Sequence, residues 1–215
     1  MASVQHDVGS AGLSVARVHP GKTMTEEEFV GWCDEDTRAE WVDGEVIVMS
    51  PVSVIHNRLT RFLISLLQAY VEERDMGEVL GTEVSVRINS KRRRLPDVLF
   101  VAQDRADRLH ENHFEGAPNL IIEVVSPDSV ERDWRVKYSE YEAAGVDEYW
   151  VIDPLHQRLE AYALNAEKAY QPIALFDGKI VSRVVPGFFL RPEWLWRVRP
   201  PKLSAALNEI LAQPR

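Results

Sequence analysis

The chain contains a single cysteine, Cys33, among its 215 residues. One cysteine excludes an internal disulfide and a four-cysteine zinc site, and such sparse usage is typical of a reducing cytoplasm. No apolar run approaches the roughly 20 residues that a membrane-spanning helix needs. Residues 1–21 also lack the continuous apolar core of a signal peptide. We therefore expect a cytoplasmic protein.

Positive charge is in deficit, with 25 Lys and Arg residues against 34 Asp and Glu and a net charge of −9. This balance excludes nucleic-acid binding through bulk positive charge. It leaves two ways to reach a phosphate backbone, a local basic patch or a bound divalent cation. The sequence has neither a Gly-x-Gly-x-x-Gly motif nor a Walker loop, so a nucleotide-binding enzyme has no support.

The remaining composition is that of a globular protein, 45% hydrophobic and 27% charged. The length suits one well-buried domain. We interpret residues 1–22 as a disordered tail because they show no sustained hydrophobic periodicity. Residues 23–200 then form the domain, and residues 201–215 form a helical carboxyl-terminal extension.

Local signals are clearest in the first part of this domain. Thr25 and Glu28 have the spacing of a capping box, which predicts a short helix over 26–33. Asp43-Gly44 favours a type I′ turn and therefore a hairpin over 40–49. Apolar residues at helical spacing predict a long helix over 54–73.

Farther along the chain, apolar runs separated by turn residues predict alternating strands and helices. Strands are predicted over 79–88, 95–101, 119–125, 148–153, 158–164, 170–176 and 179–185, and helices over 129–144 and 203–211. Residues 89–94 are interpreted as a polar turn, and residues 102–118 as a loop or short helix. This order predicts an α/β fold in which helices flank a central mixed sheet.

Glu123 is the anomaly in the apolar run 119–125, which is typical of a strand buried on both faces. An ionised carboxylate in such a strand is unfavourable unless it is paired or bound to a metal. Two interpretations stay open. Glu123 is a functional carboxylate, or it lies at the margin of the sheet and pairs with an arginine.

Asp97 follows Pro96 at the start of another predicted strand. Two neighbouring strands that each carry one carboxylate can hold Mg²⁺, because this cation prefers oxygen ligands and keeps several of its waters. Asp97 and Glu123 therefore form a candidate metal pair. Since Pro-Asp is also common in turns, Asp97 alone allows a purely structural interpretation.

Lys137 lies on the helix that follows the strand of Glu123. Trp134, Tyr138 and Tyr141 form an aromatic stripe that should face the sheet, and Lys137 lies roughly 60° from the centre of that stripe. Its stem can then be buried with the ammonium group pointing inward, near Glu123. The alternative is a solvated lysine at the edge of the helix.

Several short motifs occur in a fixed order over residues 23–195. Those before the buried strand are Glu40-Trp41-Val42-Asp43-Gly44-Glu45, Met49-Ser50-Pro51, His56 and Pro96-Asp97. Those from the buried strand onward are Glu123-Val124-Val125-Ser126-Pro127, Asp133, Lys137, Tyr141, the segment 144–150 (AGVDEYW) and Asp153-Pro154. Together they resemble the PD-(D/E)XK nuclease superfamily and, more closely, its Uma-two family of restriction-endonuclease-like proteins.

The chain departs from the wider pattern at two positions. The superfamily lysine usually lies two residues after the glutamate, where this chain has Val125. In the Uma-two family the lysine has moved to the following helix, and Lys137 is the matching residue. The second departure is Ala39, where the family often has tyrosine.

The resemblance implies a restriction-endonuclease-like core and a metal-dependent endonuclease that hydrolyses phosphodiester bonds in DNA. It also implies that Asp97, Glu123, Glu40 and the backbone carbonyl of Val124 hold Mg²⁺ or Mn²⁺. Lys137 would orient or deprotonate the attacking water.

Other residues keep more than one interpretation. His56 could bind phosphate, shuttle a proton or satisfy a core hydrogen bond. The run Lys91–Arg94 is either a solvated turn or a phosphate contact. Asp133 is interpreted as a residue that caps or orients the helix near Lys137.

Two functions of other classes also stay open. The chain could be a catalytically silent module that binds nucleic acid or protein through a nuclease-like fold. It could also be a structural module whose aromatic segment, residues 187–196, covers a core edge or forms a homodimer contact.

Overall fold

A computed structural model describes residues 23–34, 36–126 and 132–213 of the chain. The predicted tail, residues 1–22, lies outside the described residues, as does the start of the helix predicted over 129–144. None of the described helices is both long enough and apolar enough to cross a membrane.

The described part of the chain contains five α-helices and thirteen strands. The α-helices of the described part are α1 (Glu26–Trp32), α2 (Val54–Glu72), α3 (Lys137–Ala144), α4 (Pro192–Leu195) and α5 (Leu203–Leu211). The strands are β1 (Ala39–Val42), β2 (Glu45–Val48), β3 (Gly77–Gly81), β4 (Ser85–Asn89), β5 (Arg92–Arg94), β6 (Val98–Ala102), β7 (His113–Glu115), β8 (Leu120–Val124), β9 (Glu148–Asp153), β10 (Arg158–Leu164), β11 (Tyr170–Pro172), β12 (Ile180–Val181) and β13 (Phe189–Leu190). A 3₁₀ helix covers Gln103–Arg108, and a π-helical turn, Arg132–Val136, leads directly into α3.

The strands form a six-stranded mixed sheet, a five-stranded mixed sheet and a small hairpin. The six-stranded sheet has the order β11-β10-β9-β8-β6-β3, with β8 and β9 parallel at its centre. The five-stranded sheet has the order β2-β1-β5-β4-β7, and β12 pairs with β13. The predicted α/β fold with a mixed sheet flanked by helices is therefore confirmed.

Side chains on the two faces of the six-stranded sheet belong to two different cores. Leu120, Ile122 and Val124 of β8 pack in a core with α2 and α5. Ile121 faces the opposite core, to which Tyr141 of α3 belongs. Strand side chains alternate between faces, so Glu123 is directed to the α3 side.

The locally encoded elements form as predicted. Thr25 and Glu28 make both hydrogen bonds of the capping box that begins α1. Asp43 and Gly44 both have positive φ, 50° and 94°, as a type I′ turn requires. Gly145 ends α3 in the left-handed region.

Two sequence predictions in the middle of the chain are wrong. The single strand predicted over 79–88 is two strands, β3 and β4, which belong to different sheets and are separated by a turn that follows Gly81. The polar turn predicted over 89–94 is confined to its first residues, because Arg92–Arg94 is strand β5 between β1 and β4. In both cases pairing with distant strands decides the backbone, which local propensity does not report.

The carboxyl-terminal part is less regular than predicted. The strands expected over 170–176 and 179–185 shorten to β11 and β12. Phe188, Phe189 and Trp194 are buried in the α2 core, so this aromatic segment covers the core edge. Ala206 and Ile210 of α5 pack into the same core.

Candidate active site

Glu123 lies near the carboxyl end of β8, directed towards α3, and only 3% of it is exposed. Its Oε1 accepts hydrogen bonds from the Lys137 ammonium group at 2.8 Å and from the Tyr141 hydroxyl at 2.8 Å. Both donors come from α3, one helical turn apart. One buried oxygen of Glu123 thus accepts hydrogen bonds from both an ammonium group and a phenol.

Lys137 begins α3 and is 2% exposed. Besides Glu123, its Nζ lies 3.3 Å from Asp133 Oδ1 and 3.4 Å from Glu40 Oε1. The alternative of a solvated lysine at the helix edge is wrong. Three carboxylates therefore surround one ammonium group. Asp133 of the π-helical turn and Glu40 of β1 both lie close to Glu123 at the end of β8.

Asp97 immediately precedes β6, which pairs with β8. Its Oδ2 accepts a hydrogen bond from the backbone N–H of Val124 at 2.8 Å, which holds Asp97 next to the residue that follows Glu123. His56 Nε2 lies 3.1 Å from the same oxygen. His56 stands in the first turn of α2, where the Ser53 hydroxyl accepts its backbone N–H, and its Nδ1 is 3.4 Å from Thr60 Oγ1.

These side chains surround a cavity of about 460 Å³. Its lining includes His56, Asp97, Glu123 and Lys137, together with Asp133. Glu40 is fully buried and lies behind this group, where Oε2 accepts from Arg94 at 2.7 Å and Oε1 from the Leu95 N–H at 3.3 Å. The structure therefore brings together all of the predicted catalytic side chains, with Glu40 set back from the cavity.

Burial and the neighbouring charges shift the pKa values of Glu123 and Lys137. Burial, together with the nearby Asp133, Asp97 and Glu40 carboxylates, raises the pKa of Glu123 to about 8, against the opposing attraction of Lys137. The Glu123, Glu40 and Asp133 carboxylates raise the pKa of Lys137 well above its usual value, although burial alone would lower it. Lys137 is therefore a permanent cation at neutral pH.

The arginine run beside the site is engaged in ion pairs. Arg94 is 1% exposed and bridges Glu40 and Glu140. Arg92 bonds to Glu140 and Asp43, and Arg93 bonds to Glu26. These contacts overturn the solvated-turn interpretation for Arg92–Arg94, and the burial of Arg94 overturns its interpretation as a phosphate contact.

The donor chemistry of the cavity fits a hard divalent cation. Within the described residues, all hydrogen bonds and ion pairs of Asp97 fall on Oδ2 and all those of Glu123 on Oε1. The second oxygen of each carboxylate is left for a ligand. Two protein carboxylates suit Mg²⁺, which retains waters and needs few protein donors. The described residues contain no group of three His, Cys, Asp or Glu side chains arranged to hold a metal by themselves.

The family model described as "Putative restriction endonuclease", Uma2, matches residues 26–193. The chain belongs to the Uma2 family. The match includes all of the cavity side chains described above, and it confirms the resemblance inferred from the sequence motifs. Membership of this family supports a nuclease-like function.

Two proteins similar to this Uma2 chain extend that result. An uncharacterized protein of Synechocystis sp. is 28% identical over 144 residues, covering 66% of this chain and 81% of the relative. A crystal structure described as a putative nuclease belonging to DUF820, from Anabaena variabilis, superposes with a TM-score of 0.67 at 19% identity. It covers 80% of this chain and 97% of the other, and at that identity the likeness establishes the fold.

Sequence reasoning missed one contact and one residue of this Uma2 site. Tyr141 is named in the aromatic stripe and among the family motifs, but its bond to Glu123 was not predicted; its position four residues after Lys137 was the available signal. Arg38 lines the cavity and was not singled out at all. Nothing in its local sequence marks it, because its neighbourhood is created by the packing of β1 against more distant segments.

Proposed function

We propose that this Uma2 protein is a metal-dependent endonuclease that hydrolyses phosphodiester bonds in DNA. The observation that carries the proposal is the convergence of Asp97, Glu123 and Lys137 on one cavity from three separate elements. Structural ion pairs alone do not need a cavity of about 460 Å³ beside them. A cytoplasmic location and a homodimer stay predictions from the sequence.

Asp97 and Glu123 are the side chains proposed to hold Mg²⁺ or Mn²⁺, with the Val124 carbonyl as an additional ligand. When bound, such a cation neutralises phosphate charge and lowers the pKa of a bound water. The bond from Val124 N–H to Asp97 Oδ2 orients the Asp97 carboxylate. Glu123 must ionise to bind a cation, and its raised pKa makes cation binding sensitive to its protonation.

Lys137 is proposed to position the attacking water and to offset the negative charge of the phosphate. Of the two roles that the resemblance implies, orientation fits the site better than deprotonation. Three carboxylates within 3.4 Å of Nζ hold its proton in place, and a lysine with a raised pKa is a poor base at neutral pH.

His56 and Glu40 are proposed to support this arrangement. His56 bonds to Asp97 Oδ2 and so restricts the rotation of that carboxylate. Glu40 has both oxygens engaged, by Arg94 on one side and by Leu95 and Lys137 on the other. We therefore propose that Glu40 holds Lys137 in place, instead of the metal-ligand role that the resemblance implies.

Nicking of supercoiled plasmid by the purified protein in Mg²⁺, in Mn²⁺ and in EDTA tests the proposal. Wild type should nick in at least one metal and not in EDTA, and Asp97→Asn should lose nicking. The asparagine retains an oxygen for the Val124 N–H, so the fold should persist. Asp107→Asn, on the exposed 3₁₀ helix, is the matched control and should nick like wild type.

Absence of nicking by a folded wild-type protein in both metals would contradict the proposal. If that protein still bound a DNA duplex, the catalytically silent interpretation would replace it. Nicking that survived in Asp97→Asn would show that the site is wrongly placed or that a contaminant cuts the plasmid.

A further inference from the structure

Arg38 immediately precedes β1 and lines two neighbouring cavities. One is the cavity of Asp97, Glu123 and Lys137. The other, of about 670 Å³, is bounded by α1, β4 and β5 and includes Phe29 and Arg93 in its lining. The guanidinium therefore stands at the junction between the acidic cavity and a second open space.

The Arg38 side chain is incompletely satisfied by the protein. Its Nε is shielded from solvent and has no hydrogen-bond acceptor among residues 23–34, 36–126 and 132–213. A buried donor without an acceptor is destabilising, more so in a charged group, and such groups in native proteins call for an explanation. An anionic ligand that supplies acceptors to this guanidinium is one explanation.

The other cations of the region differ from Arg38 in this respect. In the acidic cavity, Lys137 contacts three carboxylates and His56 contacts Asp97. In the second cavity, Arg93 is bonded to Glu26. Among the described residues of these two linings, Arg38 is the lysine or arginine that no carboxylate neutralises.

We propose that Arg38 binds a phosphate group of the nucleic-acid backbone and so seats the strand across the acidic cavity. This inference rests on the proposed nuclease function. A guanidinium presents planar donors that match the oxygens of a phosphodiester. In a chain of net charge −9, one uncompensated cation beside the acidic cavity has a large effect on where a phosphate can lie.

The test measures binding and does not require cleavage. Fluorescence anisotropy of a short labelled DNA duplex is followed in EDTA and in Ca²⁺ over a series of salt concentrations. Arg38→Ala should weaken binding about ten-fold and reduce the slope of log affinity against log salt by about one. Arg38→Lys retains the charge and should recover part of the affinity without the planar contact.

Arg199→Ala is the matched control. Arg199 is exposed and lines neither cavity, and this substitution removes the same unit of positive charge as Arg38→Ala. It should change affinity less than about two-fold. Thermal unfolding provides a second readout. Arg38→Ala should melt at or above the wild-type temperature, because the substitution removes an unsatisfied donor.

Equal affinity of Arg38→Ala and wild type would overturn the inference, and so would an equal loss in Arg199→Ala. A wild type that bound the duplex but never cut it would contradict the nuclease function alone. The affinities of Arg38→Ala and wild type would still test whether Arg38 binds phosphate. A folded wild type that bound no duplex would overturn both.

Discussion

Glu123 and Glu148 are buried carboxylates on the two parallel strands at the centre of the large sheet, yet their surroundings differ. Glu148 begins β9 and accepts from neutral donors. These are the Trp150 indole at 2.6 Å, the Ser182 hydroxyl at 3.2 Å, and the backbone N–H groups of Arg183 and Val184 at 2.7 and 3.0 Å. Glu123 lies near the carboxyl end of β8, beside an ammonium group, a phenol and a cavity.

The comparison separates a structural carboxylate from a candidate catalytic one. Burial raises the pKa of both groups, so a raised pKa by itself marks neither as functional. Glu148 fastens the segment 182–184 to the sheet, and both of its oxygens are bonded. Glu123 keeps one oxygen free of described bonds and shares its surroundings with Asp97 and Lys137.

The largest effect is expected on stability, from Glu148→Ala. Four hydrogen-bond donors would lose their acceptor, and the free energy of unfolding should fall by about 3–5 kcal/mol. Urea denaturation measures that loss. Cleavage per folded molecule should match wild type at a temperature where the variant is folded. Selective loss of cleavage would show that Glu148 serves the site after all.

Glu123→Gln should show the opposite pattern. Cleavage should fall at least roughly 100-fold, because a neutral amide neither holds a cation nor completes the charge of the site. Near pH 4.5, where the Glu123 carboxyl is protonated in the folded protein, the free energy of unfolding should change by less than about 1 kcal/mol, since the amide oxygen can still accept from Lys137 and Tyr141. A variant that cut normally would remove Glu123 from the mechanism.

The pH dependence of stability should also distinguish Glu123. Its pKa is about 8 in the folded protein, against a usual value of 4.5. Between these two pH values the folded state holds a proton that the unfolded state has released, so stability should fall as pH rises from 4.5 to 8. Urea unfolding of wild type and Glu123→Gln over that range measures the difference. A contribution of Glu123 that rose with pH would contradict the assignment.

Metal affinity should change with pH in the other direction. Mn²⁺ binding by titration calorimetry should strengthen as pH rises towards 8, because protons compete with the cation for Glu123. Rising pH should therefore lower the stability of the folded protein and raise its metal affinity, and the ionisation of Glu123 accounts for both effects. Affinity that was constant between pH 6 and pH 8 would argue against Glu123 as a ligand.

The smallest effect is expected from Tyr141→Phe. It removes one of the two hydrogen bonds to Glu123 Oε1 and should reduce cleavage about 3- to 10-fold and stability by about 1 kcal/mol. Tyr70→Phe is the matched control, because the Tyr70 hydroxyl donates to the Pro186 carbonyl and does not line the cavity of Glu123. That variant should lose similar stability with no change in cleavage. Equal cleavage by the two variants would show that Tyr141 only packs.

Much of the site could be predicted from the sequence because its main residues interrupt local patterns. Glu123 is conspicuous as a charge in an apolar strand, and Lys137 lies at a helical angle that directs it inward. Glu148 belongs to an equally apolar strand and was not singled out. Its bonds to residues 182–184 depend on a contact across more than thirty positions of the chain, which no local pattern reports.

The arginine run shows the same limit. Lys91–Arg94 has the composition of a solvated turn, and its first residue is indeed exposed. Arg94 is buried because β5 pairs with β1 and brings Glu40 within 2.7 Å of its guanidinium. No carboxylate of the described residues pairs with Arg38, although the sequence does not distinguish it from the others. Partners decide the role of a charged side chain, and distant strands supply the partners.

The sequence by itself determined the capping box of α1, the type I′ hairpin turn, the central apolar strands and the family motifs. Each depends on residues a few positions apart, so short-range sterics and hydrogen bonding are enough to encode it. Only the tertiary structure decided which carboxylates face a cavity, which are bonded by neutral donors, and which cavity-lining guanidinium no described carboxylate contacts. Those outcomes depend on long-range packing, where burial makes an unpaired charge unfavourable and partner geometry sets its chemistry.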